Sequence, residues 1–211
     1  VTSRSYGFYL VLASAAFWAS WALMPGVGVT DTATIFALVG QHRAAVFTSV
    51  AVQLASSAAY APGVAGILAT GDRPSPIVRT GGALLLMGAM GSAADAVFHL
   101  VAYEMTAPGV TAAAVTPVMQ QLQGSDLAML LPFVVAFFLG HVLVVTELRR
   151  RGRFARAGFR VLLAAPVVLV AGGLLARLGV VPGRLAGLAL LAALSGSLAL
   201  VGASMMAGER D

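Results

Sequence analysis

Apolar residues run along this chain in long stretches, separated by short clusters of Arg, Pro, Gly and acidic residues. The stretches do not alternate between polar and apolar at a period of two, which excludes a transmembrane barrel. About 18 or more consecutive apolar residues suffice for a helix to cross a ~30 Å hydrocarbon core, and a helix satisfies its own backbone hydrogen bonds there. Six such spans are predicted, at residues 7–24, 44–69, 82–103, 126–148, 161–178 and 185–207. The fold class is therefore an all-α polytopic transmembrane bundle, read as one domain.

The connections refine this. Pro25-Gly26 ends the first span, with Trp18 and Trp21 near its end as interfacial anchors. Thr30 or Asp31 is placed to cap a short helix carrying Ile35, Phe36, Leu38 and Val39. Tyr60-Ala61-Pro62-Gly63 should kink the second span or end it early, which leaves open whether His42 and Arg43 lie inside it. Residues 71–76 form a break. Thr116-Pro117 is expected to open a short interfacial helix, and Ser125 or Asp126 to cap the fourth span. Gly88, Ser92 and Ala96 on the third span, and Ser195, Ala199 and Ala203 on the sixth, form small-residue stripes that let helices approach.

Composition agrees. Apolar residues are 59% of the 211 and charged residues 10%, against about 25% charged in soluble domains; the mean hydropathy is +0.93. The net charge of +5 does not indicate nucleic-acid binding, because the basic residues, all Arg, cluster in one connection. That connection holds Arg149, Arg150, Arg151, Arg153, Arg156 and Arg160. Placing it in the cytoplasm by the positive-inside rule brings Arg4, Arg73, Arg79 and Arg210 there too and leaves Arg43, Arg177 and Arg184 outside. Both termini are then cytoplasmic, and connections 25–43 and 104–125 face out. The expected location is a bacterial cytoplasmic membrane. The expected partners are the lipid bilayer and membrane-protein partners or further copies of the chain. With no Cys, thiolate chemistry and Cys-ligated metals are excluded. The chain opens on Val1, which points to trimming, and its first run exceeds the ~7–15 residues of a signal-peptide core, so it is read as a retained helix.

Ionisable groups inside spans mark candidate sites. Asp95, His99 and Tyr103 recur at i, i+4 and i+8 on the third span, so they share a face; Glu104 follows them. His42 and Arg43 stand at the outer end of the neighbouring span, and all six could meet in one outward-facing pocket. Three readings remain open. In the first, His42 and His99 ligate a haem b iron while Arg43 pairs with a propionate and Tyr103 lines the site, or His42, His99 and Asp95 hold a metal ion; a small lipophilic ligand would occupy the same pocket. In the second, an enzyme uses Asp95 as acid and Glu104 or His99 as base on a lipophilic substrate. In the third, Asp95 and His99 bond to each other and to a neighbouring helix in an accessory subunit that holds no ligand. His141, deeper and apart, is expected to bond a carbonyl of a neighbouring helix, and Glu147 to pair with the Arg residues that follow it. No inverted repeat supports a transporter, and no motif names a family.

Overall fold

The computed structural model describes residues 3–69, 74–152 and 156–208. The predicted break at 71–76 lies partly outside this set, as do Arg73, Arg153 and Arg210; the side chains of Ser3, Asp126 and Leu127 do too. Among the described residues the chain is helical, without strands: α1 (Ser3–Leu23), α2 (Thr32–Gln41), α3 (Arg43–Ala69), α4 (Pro76–Met105), α5 (Ala112–Arg150), α6 (Arg156–Arg177) and α7 (Gly183–Ala207). Six helices are long and apolar enough to span a membrane, with α5 contributing its Ala128–Arg150 portion. The outward surface carries large apolar side chains such as Met90, Met129 and Val170, each about two-thirds exposed or more (67%, 71% and 71%), as contact with lipid tails requires. The molecule is a multi-pass membrane protein.

The helices pack in the order α6, α7, α1, α3, α4, α5, and lighter contacts of α5 with α6 and α7 close the ring. In lipid, association relies on close packing and interhelical hydrogen bonds, because the tails are as apolar as the side chains. The packing here is built on small residues. A Cβ on Gly7 would stand 2.5 Å from the Gly202 carbonyl oxygen, and one on Gly202 would stand 2.6 Å from that of Gly7. α1 and α7 therefore touch backbone to backbone. In α4, Gly88 makes room for the Phe137 ring of α5. On α3, Ser49 and Ser56 donate to the carbonyls of Ser20 and Ala13 on α1, each at 2.7 Å. The predicted stripe on α4 holds, with Gly88 and Ala96 buried. That on α7 is displaced: Ser195 is buried but Ala203 is exposed, and the close approach falls on Gly202. One residue is about 100° of rotation, enough to move a contact off the interface.

Several boundaries differ from expectation. α3 runs through Pro62 to Ala69, because Pro removes one donor and packing against α1 holds the helix on either side. α4 begins at Pro76, not 82: the Ser75 hydroxyl accepts from the Val78 N–H at 3.2 Å and Pro occupies the first turn. Ser-Pro here is both the end of the break and a helix start. α5 is continuous for 39 residues, so neither Ser125 nor Asp126 caps a separate span. At ~1.5 Å per residue it reaches roughly 58 Å, about twice the hydrocarbon thickness, so its first section extends beyond the membrane core. The short helix α2 does form, and Asp31 is its cap: the carboxylate accepts from the Thr34 N–H at 2.8 Å and its hydroxyl at 2.6 Å.

The α1–α7 contact yields a direct expectation. Gly7→Val should lower the stability of the purified protein by about 1–3 kcal/mol, the range for overpacking, read as a lower thermal midpoint. Gly40→Ala, where an added Cβ meets nothing within 4 Å, should leave the midpoint unchanged. An unchanged midpoint in Gly7→Val would contradict the backbone contact.

Candidate functional site

At the end of the bundle opposite the Arg-rich connection, the helices border a half-open cavity of about 750 Å³. Its walls are the end of α1, the 24–30 connection, α2, α4 and the first half of α5. α2 roofs it. Val39 of α2 packs with Met24 and Val46, while Phe36 packs with Ala102 of α4 and Met119 of α5. Thr32 Oγ1 donates to Gln123 Oε1 at 2.6 Å and ties this roof to α5.

Asp95 and His99 lie in the wall of this cavity. Asp95 Oδ2 accepts from Gln53 Nε2 at 2.8 Å, and the same amide nitrogen is 3.3 Å from Ser92 Oγ. Gln53 is 2% exposed, so its amide depends on these partners. His99 Nδ1 stands 3.4 Å from Asp95 Oδ2, within range of charge attraction but without hydrogen-bond geometry. Two aromatic rings flank the imidazole edge-on, Trp21 at 6.1 Å and Phe98 at 6.0 Å between centroids. His99 Nδ1 and Trp21 Nε1 are both buried without a hydrogen-bond partner among the described residues. Such groups are costly in a native structure and call for an explanation.

The other predicted site residues are not gathered here. His42 is exposed and caps the end of α2; its carbonyl accepts from the Val46 N–H at 3.1 Å, where α3 begins. It does not line the cavity, so the geometry gives it no ligand in common with His99. The start of α3 at Arg43 is what turns His42 outward, and it resolves where the second span begins. Arg43 Nη1 donates to the Tyr103 carbonyl at 2.6 Å and to Thr106 Oγ1 at 2.8 Å, and its guanidinium carbon lies 3.8 Å from the Tyr103 ring centroid. Arg43 and Tyr103 thus fasten α3 to the end of α4 and are not placed to bind a propionate in the cavity. Glu104 is exposed and borders a different, shallow groove beside Val97 and Val101. Nine residues from Asp95 is about half a turn of rotation, which puts the two carboxyls on opposite sides of α4 and separates the expected acid–base pair. Among the described residues no three His, Asp or Glu side chains form a group fit to hold a metal ion, so the set His42, His99 and Asp95 does not assemble.

His141 is fully buried, and its Nδ1 faces the Phe137 carbonyl of its own helix at 2.8 Å, not a neighbouring helix. Glu147 accepts from Arg151 Nε at 2.8 Å, the pairing expected of it. The residues that sequence reasoning undervalued are Gln53, Ser92 and Trp21. A signal for the first existed: Gln53 is an amide within a span, and its distance from the end of α3 matches that of Asp95 from the start of α4 to within about one turn, so the two stand at similar depth across the hairpin.

No protein-family model, curated protein or solved structure matches this chain. Fold and site together define a multi-pass membrane protein with a polar cluster in the wall of an end-facing cavity.

A double-mutant cycle on Gln53→Leu and Asp95→Leu should give a coupling energy of about 1 kcal/mol, in the range of interhelical bonds in bilayers. Asp95→Leu alone should be the more damaging single change because it leaves the buried amide unsatisfied. Strictly additive effects would contradict the bond. At the start of α2, the Thr34 side-chain and backbone bonds hold the Asp31 carboxyl below the ordinary carboxylate range. A depressed folded pKa means its capping is complete above the unfolded value of about 3.9 and is lost as the pH falls below it. The protection of the amides at the start of α2, taken as exchange relative to the intrinsic rate at each pH, should therefore fall as the pH drops below that value in the native chain. In Asp31→Ala it should already be low at pH 7.

Proposed function

We propose that this protein binds a small lipophilic molecule with a polar head in the cavity beneath α2. The carrying observation is a half-open space of roughly 750 Å³ whose mostly apolar wall includes Asp95, His99 and Trp21, the last two each with a buried ring nitrogen that has no hydrogen-bond partner among the described residues. The volume is that of a small-molecule site, about 300–1,000 Å³, and the mostly apolar wall with a few convergent polar groups is the usual composition of such sites. The rim includes the exposed α5 residues Leu131 and Val134, a side through which a bilayer-dissolved molecule can enter. The Gln53–Asp95 bond argues for a structural contribution by Asp95 as well; it secures α3 to α4 and leaves the other acceptor sites of the carboxylate free.

The orientation belongs to this reading. Ten of the 13 Arg residues in the sequence fall at one end or in its connections and three (Arg43, Arg177 and Arg184) at the other. That asymmetry supports a cytoplasmic-membrane protein with both termini inside and a cavity that opens to the outer leaflet.

Both parts can be tested. Native mass spectrometry of protein purified in a mild detergent should show a bound organic molecule. Ala102→Leu, which narrows the cavity from a buried wall position, should reduce the bound fraction several-fold. Met90→Trp, on the lipid-facing surface, should not change it. No adduct in the native chain, or equal retention in Ala102→Leu, would overturn the assignment. For orientation, the absence of cysteine permits single-Cys labelling. Ala107→Cys in intact cells should react with a membrane-impermeant maleimide, and Gly152→Cys should react only after the membrane is opened. The reverse pattern would invert the topology.

A further inference from the structure

The charge of the cavity wall narrows the class of ligand, a step that rests on the proposed binding of an amphiphile there. Among its described residues the wall carries one acidic side chain, Asp95, and neither Arg nor Lys. The basic residue closest to this part of the bundle in α3, Arg43, is held by the Tyr103 carbonyl, Thr106 and the Tyr103 ring and does not reach the wall. An anionic head group would meet an acidic neighbour with no cation to offset it, in surroundings where water screens weakly. A cationic head group would meet the opposite arrangement: a carboxylate with spare acceptor sites, the aromatic residues Trp21 and Phe98 nearby, and the amide side chains of Gln120 and Gln123. Carboxylates attract cations, and aromatic faces do so through their quadrupoles. His99 places an imidazole nitrogen 3.4 Å from Asp95 Oδ2.

We propose that the cavity selects amphiphiles whose polar head is an ammonium group over anionic amphiphiles of the same chain length. Asp95 is the residue that sets the sign of this preference. Gln53 is a positioning residue: its amide holds Oδ2 in place at 2.8 Å. The apolar tail would lie toward Leu130, Leu131 and Val134 of α5.

The test uses the full chain in a neutral maltoside detergent with three probes of matched length, dodecylammonium, dodecyl sulfate and dodecanol, titrated by tryptophan fluorescence and by the shift in thermal midpoint. Dodecylammonium should saturate at a mole fraction about tenfold or more below that of dodecyl sulfate. Asp95→Asn, which keeps an acceptor oxygen for Gln53, should abolish that preference. A second variant guards against misfolding of the first. Gln120→Lys, at an exposed wall position, should weaken dodecylammonium and strengthen dodecyl sulfate by several-fold each. Equal or tighter binding of dodecyl sulfate to the native chain would overturn the charge preference and leave the ligand site standing. A preference that persists in Asp95→Asn, or that Gln120→Lys does not move, would overturn the assignment to this cavity. Failure of all three probes to bind would remove the ligand site itself, and the charge preference with it.

Discussion

The backbone contact between Gly7 and Gly202 sets the geometry on which the rest of this bundle depends. Inside a bilayer, apolar surface gains little by leaving lipid for protein, so helices stay together where their backbones come close and where polar groups pair. α1 meets α7 at that glycine pair and α3 through two serine-to-carbonyl bonds. With α1 held on both sides, α4 is fixed against α3, and α5 against α4 through the Phe137 ring lodged over Gly88. The tight zone lies along α4 from Gly81 to Gly91. Beyond it α4 carries Asp95, Phe98 and His99 in place of glycine, and there the helices border a half-open space instead of a seam.

The polar contacts around that space share a direction: each holds an element of the wall in place. Gln53 secures α3 to Asp95 of α4, Arg43 secures the start of α3 to the end of α4, and Thr32 secures α2 to α5. Arg184 donates to the Ala22 carbonyl at 2.7 Å and Trp18 to the Leu188 carbonyl at 3.1 Å, which satisfies backbone oxygens where α1 and α7 meet the polar interface. Of the buried side-chain atoms without a hydrogen-bond partner among the described residues, Trp21 Nε1 and His99 Nδ1 belong to residues of the cavity wall, while Ser14 Oγ, Tyr60 Oη, His141 Nε2 and Ser195 Oγ belong to residues outside it.

Much of this architecture was written in the pattern of residues. The apolar runs give the six spans, Asp31 declares the cap of α2, and the i, i+4 spacing of Asp95 and His99 puts both into one wall. The failures have physical causes. Helix ends were misplaced where one signal has two meanings, as Pro74-Ser75-Pro76 both breaks the chain and starts α4. The continuity of α5 through Ser125 was hidden because a residue suited to capping also tolerates a helix interior. The expected meeting of His42 with His99 failed on rotation: spacing along the chain fixes depth, but the angle about the helix axis depends on where α3 begins. Proximity in sequence groups Glu104 with Asp95, although nine residues turn it to the opposite side. The sequence offers Arg43 as a partner for an acidic group, and the backbone carbonyl of Tyr103 takes that part.

The central claim is that the space beneath α2 is a preformed site that a small amphiphile occupies. A structure determined from crystals grown in a lipidic mesophase tests it most directly. The account predicts elongated non-protein density beside Asp95 and Trp21, with α2 held over it by the Thr32–Gln123 bond. A collapsed space, with α2 and the first half of α5 packed directly onto Trp21 and His99, would contradict it.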